Sequence, residues 1–232
     1  MNRILKIFSI CFLALVLLSV PLSLASAAKK KKVIVTPSNP CTTVSSVTYK
    51  VGSVDPQFGM SQEKFASMVR TAARAWNTAA GAQVLVEDNT SMLSVNMKYG
   101  ENQVALNNYF TSLNSVVLAQ NRTTPSEYAR SASGVNPATK QATLLTNIKL
   151  GQYLEKRSKG KLVGKEINVL AYMSDTDLQS TLLHELGHAI GLDHTKTYGA
   201  IMSAQTGSLE NQPSTLKAAD IKLLKNYCTN KI

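Results

Sequence analysis

The sequence predicts a single domain of the α+β class, and three observations support this prediction. A β-α-β-β order with short connections extends over residues 47–99, and an apolar strand at 167–172 leads into a further helix. Hydrophobic residues make up 44% of the 232 positions and charged residues 17%, a composition that is typical of globular chains and excludes intrinsic disorder. The sequence shows no internal repeat and no long linker between domains.

Residues 1–27 have the composition of a secretory signal peptide. Two basic residues precede an apolar stretch at 7–24, and the Ala-Ser-Ala sequence at 25–27 provides a cleavage site, so the mature chain would begin at Ala28. The alternative is an uncleaved membrane anchor, because about 18 apolar residues approach the thickness of a bilayer. We therefore expect a secreted, extracellular or cell-envelope protein.

A basic arm, predicted to be flexible over residues 28–44, follows the signal. Four consecutive lysines, Lys29, Lys30, Lys31 and Lys32, follow Ala28 at its start. Such a run is commonly a solvated arm, and the alternative is weak contact with an anionic envelope or membrane surface, where each lysine contributes about 1 kcal/mol. The formal net charge is +11, but aromatic residues make up only 6% of the chain. A nucleic-acid partner bound by base stacking is therefore not expected.

The cysteines predict a disulfide. Of the three in the chain, Cys11 lies in the predicted signal, which leaves Cys41 and Cys228 near the two ends of the domain. In an exported protein this even number favours a bond between them. The alternatives are two unrelated thiols, or Cys41 acting as a ligand that blocks a metal site.

Local patterns predict the first elements of the domain. Residues 47–51 alternate and are rich in β-branched side chains, which indicates a strand. Ser61 caps a helix whose apolar residues recur at helical spacing and which ends at Gly81. Two further strands are predicted at 83–87 and 93–99.

Residues 101–165 form a polar stretch whose secondary structure the sequence leaves open. Helix starts are indicated at residues 124 and 136, each followed by proline, while residues 143–150 fit either a strand or a helix. We interpret this stretch as a divergent insert in a domain that covers residues 45–232.

The strand at 167–172 leads through capping residues at 174–177 into a helix over 178–190. His184 and His188 are four residues apart on this helix. This spacing places them on one face, one turn apart, where both imidazoles can bind the same ion.

The residues around this pair indicate a catalytic zinc site. Gly191 can end the helix in a conformation that is costly for other residues, which lets the chain bring His194 to the same ion. Three histidines leave the fourth position of a tetrahedral zinc ion open to water, and this is the catalytic pattern. Glu185 is placed to take a proton from that water and pass it to a departing amine. The chain has three histidines in total, so none is left for another role.

The stretch HELGHAIGLDH at 184–194, followed by Ala-Ile-Met at 200–202, resembles the signature of the metzincin zinc endopeptidases. Gly187, Thr195 and the Ala-Ile-Met triplet are most similar to the matrixins within that group. The resemblance implies a twisted, mostly five-stranded sheet with a long first helix, an active-site helix and a C-terminal helix. The last of these fits residues 216–227.

The resemblance also implies roles for individual residues. His184, His188 and His194 would bind one catalytic zinc ion, Glu185 would act as the general base, and Met202 would form an apolar floor beneath the metal. We expect a secreted zinc metalloendopeptidase that acts on protein or peptide substrates. The alternatives are an inactive or weakly active surface-binding protein of the same fold and a zinc hydrolase of a non-protein amide.

Departures from the matrixin pattern limit these implications. Vertebrate matrixins carry a second zinc and calcium ions between the third strand and the catalytic helix, on His and Asp residues. This chain has no further His and no Asp between Asp88 and Asp175, which excludes a second zinc of that kind and makes calcium doubtful. Ser203 and Ala204 replace the Tyr-Pro that commonly follows the methionine turn, so the shape of the substrate pocket is not inherited.

Two further expectations concern residues outside the zinc motif. Asp220 resembles an acid that opens the family's last helix, and we interpret it as an ordinary surface or capping residue. The alternative is that it braces the turn containing Met202. The segment before Cys41 lacks the family's longer blocking motif. We therefore predict that the enzyme is not made as a cysteine-blocked zymogen.

Overall fold

The computed structural model describes residues 40–119, 148–204 and 213–231, and a five-stranded sheet organises them. The predicted signal peptide at 1–27 and the four lysines that follow it lie outside these ranges. No helix within the described ranges combines the length and the apolar character needed to cross a membrane.

The sheet is mixed, with four mutually parallel strands and one antiparallel strand at an edge. The strands are β1 (Val47–Val54), β2 (Leu85–Glu87), β3 (Leu93–Met97), β4 (Gly151–Ser158) and β5 (Lys161–Val169). Their order across the sheet is β2-β1-β3-β5-β4, and β4 pairs only with β5. The predicted α+β class with a five-stranded sheet is confirmed.

Four α-helices accompany the sheet in the described residues. They are α1 (Gln62–Ala80), α2 (Glu101–Ala119), α3 (Asp175–Ile190) and α4 (Ala218–Asn230). Helix α1 begins and ends at the predicted residues: the Ser61 side chain accepts a hydrogen bond from the Lys64 amide, and Gly81 has φ 63°. Ser174 caps α3 in the same way, by accepting from the amide of Asp177.

The core lies between the sheet and the helices α1 and α3. Residues with no measurable exposure come from all three components: Phe65, Val69, Trp76, Val95, Ile167, Val169, Leu182, Leu183 and Leu186. Alternate residues of β3 and β5 face this core, as expected for strands packed on one face. Because α3 is buried on several sides, the side chains that it carries are held in fixed positions.

The polar stretch at 101–165 contributes to the sheet itself. The structure places α2, β4 and the first half of β5 in it, so its C-terminal part supplies the edge strand of the sheet and the start of the neighbouring strand. The helix starts predicted at residues 124 and 136, and most of the segment 143–150, lie outside the described residues.

A two-residue turn joins β4 to β5. Lys159 and Gly160 have φ values of 49° and 79°, the left-handed conformations that fit the twist of a hairpin. Every residue from Leu154 to Lys161 is exposed. The sequence therefore lacks the apolar alternation by which a half-buried strand is recognised, and β4 could not be predicted from periodicity.

A disulfide joins Cys41 to Cys228, with an S–S distance of 2.02 Å, and both residues are buried. Cys41 lies in a short 3-10 helix, Pro40–Thr43, and Val44 packs against the core. The arm predicted over residues 28–44 therefore ends before Cys41. Because the two sulfurs are bonded to each other, neither is a thiol ligand that could block a metal site.

Replacing both cysteines by alanine is expected to lower the free energy of unfolding by about 2–5 kcal/mol. The bond closes a loop with a sequence separation of 187 residues, so the unfolded chain gains much conformational freedom when it is removed. Urea unfolding of the double variant and the parent measures the difference. Reaction of both cysteines with a thiol-specific label in denatured, unreduced parent protein would show that the disulfide is absent.

Candidate active site

Three histidines converge at the C-terminal end of α3. His184 and His188 lie one turn apart on the helix, and Gly191, with φ 109°, ends it so that the chain turns back to His194. The Nε2 atoms are 3.0 Å apart between His184 and His188, 3.2 Å between His184 and His194, and 3.1 Å between His188 and His194. Three ring nitrogens thus point at one position.

Backbone carbonyls orient two of the three rings. Nδ1 of His184 is 2.6 Å from the carbonyl oxygen of Ile201, and Nδ1 of His188 is 2.8 Å from that of Leu192. Because a carbonyl only accepts, each Nδ1 carries the proton and each Nε2 keeps a free lone pair. This tautomer is the one in which a histidine binds a metal through Nε2.

The arrangement fits a tetrahedral metal ion. Ligand nitrogens at 2.0–2.1 Å from zinc are about 3.3 Å apart in tetrahedral geometry, close to the separations of the three Nε2 atoms. Burial lowers the pKa of His184 to about 4, and burial also lowers the pKa of His188. Both rings are therefore neutral at pH 7, which is the protonation state that a metal ligand requires.

Glu185 is buried and faces the edge strand β4. Burial raises the pKa of its carboxyl to about 7, while the backbone N–H of Tyr153 donates a hydrogen bond that opposes this shift. A Cβ atom added at Gly151 would lie 2.9 Å from Oε1 of Glu185 and 2.6 Å from Cγ2 of Thr181. Strand β4 therefore holds the Glu185 carboxylate in two ways: the Tyr153 amide donates a hydrogen bond to it, and the backbone at Gly151 packs closely against it.

With Glu185 as the expected general base, substituting alanine for Gly151 should lower kcat/KM about 10- to 100-fold without changing the metal content. A displacement of roughly 1 Å can have this effect on a group that takes part in the reaction. Gly164→Ala in β5 is the matched control, since its added Cβ would meet no side-chain atom closer than 4.0 Å. Metal content and thermal unfolding of both variants separate misplacement of Glu185 from misfolding. Equal activity in the two variants would contradict this role of Gly151.

Met202 has no measurable exposure and packs against α3 at Gly187. A Cβ added at Gly187 would lie 2.4 Å from Sδ of Met202 and 3.0 Å from Cζ2 of Trp76. The indole N–H of Trp76 donates to the carbonyl of Leu183, 2.9 Å away. Because Gly187 has no side chain, Met202 and Trp76 can pack directly against the backbone of α3.

The loop after the third histidine is tied to the turn that contains Met202. The backbone N–H of Thr195 donates to the carbonyl of Met202 at 2.7 Å, and Thr195 pairs with Ser203 in an isolated parallel bridge. The turn at Ile201 and Met202 therefore contacts two of the histidine segments. Its Met202 carbonyl fixes the backbone of Thr195, next to His194, and its Ile201 carbonyl orients the ring of His184.

The interpretation of Asp220 as a surface residue is wrong. The residue has no measurable exposure, and its carboxylate accepts hydrogen bonds from the amides of Ile201 at 3.0 Å and Met202 at 2.9 Å. It also accepts from the amide of Lys217 at 2.8 Å and so caps α4. Asp220 thus braces the methionine turn and caps the last helix at the same time.

The three histidines form the one group of three or more His, Cys, Asp or Glu residues within residues 40–119, 148–204 and 213–231 that could hold a metal ion. Residue spacing predicted all three together with Glu185, and the resemblance to the matrixins implied Met202. They did not predict the contributions of Gly151, Tyr153 or Trp76, because the contacts of these residues join segments that are distant in the sequence.

A comparison with known families agrees with this geometry. The family model for the matrixin peptidases matches residues 41–227, which include the sheet, the histidine site and most of α4. No curated protein matches the chain. Matrixins are zinc metallopeptidases, so the family accounts for the histidine set and for the α+β fold. The chain belongs to the matrixin family.

Proposed function

We propose that this protein is a secreted zinc metalloendopeptidase in which Glu185 is the general base. The observation that carries the proposal is the convergence of three Nε2 atoms beside a buried carboxyl whose pKa is raised to about 7. His184, His188 and His194 would hold the ion. When bound there, zinc lowers the pKa of water to about 7 and polarises a carbonyl group.

The residues of the chain supply the proton transfers. The Glu185 carboxylate accepts a proton from the attacking water and donates it to the departing amine nitrogen. Because burial raises its pKa towards neutrality, the group can both accept and release a proton near pH 7. The Tyr153 amide holds the carboxylate in one orientation during both transfers.

The position of β4 favours a peptide over a non-protein amide as substrate. This strand is an edge of the sheet, and its first residues lie against Glu185. An extended peptide can add to such an edge through main-chain hydrogen bonds. A peptide bound in this way would pass beside the carboxylate.

Secretion is proposed from the signal-like residues 1–27 and from the disulfide, since disulfides persist mainly in oxidising compartments. The lysines at 29–32 are then available for weak contact with an anionic envelope surface. N-terminal sequencing of protein from the culture supernatant tests the proposal, with Ala28 as the expected first residue. A full-length chain found only in the cell pellet would contradict it.

The experiment that tests the activity combines metal analysis with a mixed peptide library. We expect one zinc ion per chain, internal cleavage of peptides, loss of cleavage after chelation and its return with added zinc. Absence of bound metal, or cleavage that chelation does not affect, would exclude the proposed mechanism. Metal binding without cleavage of any peptide would favour the surface-binding alternative or a non-protein amide.

A further inference from the structure

A basic surface lies on the hairpin formed by β4 and β5. Over residues 154–165, which we call the basic hairpin, the chain has one acidic residue, Glu155. It has five basic residues, Lys156, Arg157, Lys159, Lys161 and Lys165. Most of this segment is exposed, including the apolar Val163, which is 56% exposed.

Acidic neighbours neutralise only part of this charge. Lys156 pairs with Glu166 at 2.6 Å, while Arg157 and Lys165 share Glu155 at 2.9 Å and 3.3 Å. The two remaining lysines, 159 and 161, form no ion pair with any residue that the structure describes. The turn and the first residue of β5 therefore carry two positive charges with no described acidic partner.

The basic hairpin is continuous with the candidate active site. Strand β4 begins at Gly151, against Glu185, and runs through Tyr153 to the turn. At about 3.3 Å per residue, Arg157 lies roughly 13 Å and Lys159 roughly 20 Å along the edge from Tyr153. A substrate held at Glu185 on this edge would reach the basic residues if it remained extended.

The direction of β4 determines whether the basic hairpin lies beside the substrate residues that precede the cleaved bond or beside those that follow it. Antiparallel pairing is the more stable arrangement for an added strand. A peptide antiparallel to β4 runs from the turn towards Gly151, so its residues N-terminal to the cleaved bond lie along the basic hairpin.

We propose that the basic hairpin binds acidic side chains of the substrate about four to six residues N-terminal to the cleaved bond. The inference rests on the proposed peptidase function and extends it to a class of substrate, proteins with an acidic segment before the cleavage site. Attraction between opposite charges over this surface raises the rate of association and is weakened by salt.

The kinetic test uses one neutral cleavable peptide with different extensions. Four Glu, four Gln or four Lys residues are placed N-terminal to it, and a fourth peptide carries the four Glu residues on the C-terminal side. At low salt we expect kcat/KM for the N-terminal Glu peptide to exceed that for the Gln peptide about 5- to 10-fold. At 0.5 M NaCl the ratio should approach one, because exposed charges are then largely screened.

A pair of charge variants assigns the preference to the basic hairpin. Lys159→Asn combined with Lys161→Gln removes the two unpaired charges, and Asn before Gly160 suits the left-handed turn. Lys222→Gln with Lys225→Gln removes the same charge from exposed positions on α4. The Glu-to-Gln ratio should fall to about one or two in the hairpin variant and stay at the parent value in the α4 variant.

A binding measurement separates failure of the inference from failure of the proposed function. Fluorescence anisotropy with Glu185→Gln protein compares labelled Glu- and Gln-extended peptides whether or not any peptide is cleaved. Tighter binding of the Glu peptide that depends on the two lysines supports the proposal. Equal binding of both peptides, or a preference only for Glu on the C-terminal side, overturns it. So does hairpin-dependent binding to phosphatidylserine vesicles without a peptide preference.

Discussion

Replacing Glu185 by glutamine is expected to lower kcat/KM by about 10²- to 10⁴-fold and to leave the zinc content unchanged. Glutamine has nearly the same shape and can still contact the Tyr153 backbone, but it cannot accept a proton from water. The histidines do not depend on this side chain, since Ile201 and Leu192 orient two of the three rings. Steady-state kinetics and metal analysis of the two proteins measure both effects. Similar activity would show that another group is the base.

The same pair of proteins tests the raised pKa of Glu185 in the metal-free state. An unfolded glutamate releases its proton near pH 4.5, whereas the folded protein keeps it until about pH 7. The stabilisation of the protonated form is therefore lost as the pH rises from about 4.5 through 7, and the loss is on the order of 3 kcal/mol. Burial lowers the pKa of His184 and His188, so their effect on stability has the opposite sign, but it is common to both proteins.

Urea unfolding of the metal-free proteins at pH 5 and pH 8 measures this difference. Between pH 5 and pH 8 the free energy of unfolding of the parent should fall relative to that of Glu185→Gln, because glutamine does not titrate. An equal change in both proteins would show that the carboxyl has an ordinary pKa.

Asp220→Ala is expected to lower the free energy of unfolding by about 3–5 kcal/mol, one of the largest effects of a single substitution in this chain. The carboxylate accepts from three backbone amides, those of Ile201, Met202 and Lys217. Each buried donor left without an acceptor costs about 1–3 kcal/mol. Asp55→Ala is the matched control: Asp55 caps only a short 3-10 helix near the surface, where the loss is about 1 kcal/mol.

The Asp220 substitution should also weaken metal binding. The amide of Ile201 donates to Asp220, and the carbonyl of Ile201 accepts from Nδ1 of His184. Release of the turn would therefore disturb a proposed zinc ligand. Loss of such an outer contact typically reduces metal affinity 10- to 100-fold. Competition with a chelating dye measures the affinity of both variants. If Asp220→Ala changes stability and metal affinity no more than Asp55→Ala does, Asp220 acts only as a helix cap.

The elements that the sequence predicted well are those determined by neighbouring residues. Helix α1 has its apolar stripe, its Ser61 cap and its Gly81 end within one stretch of the chain. The zinc motif is equally local, because helical spacing aligns His184 with His188 and Gly191 turns the chain towards His194. Both were therefore recognisable without any tertiary information.

Strand β4 shows where local patterns were insufficient. Most of its residues are exposed and three of them are charged, so no apolar alternation marks it. It forms a strand because β5 provides hydrogen bonds along its length. The same strand supplies Gly151 and Tyr153 to Glu185. Two contributions to the candidate site consequently lie in a stretch whose structure the sequence left open.

By itself the sequence determined the three histidines, the carboxylate between the first two, and the α+β class, since each follows from spacing along a short segment. The tertiary structure decided which distant residues hold them in place. Trp76 reaches Leu183 across 107 positions, and Asp220 reaches Ile201 and Met202 from another helix. A buried polar group must find a partner wherever the fold provides one, and no local pattern records that partner.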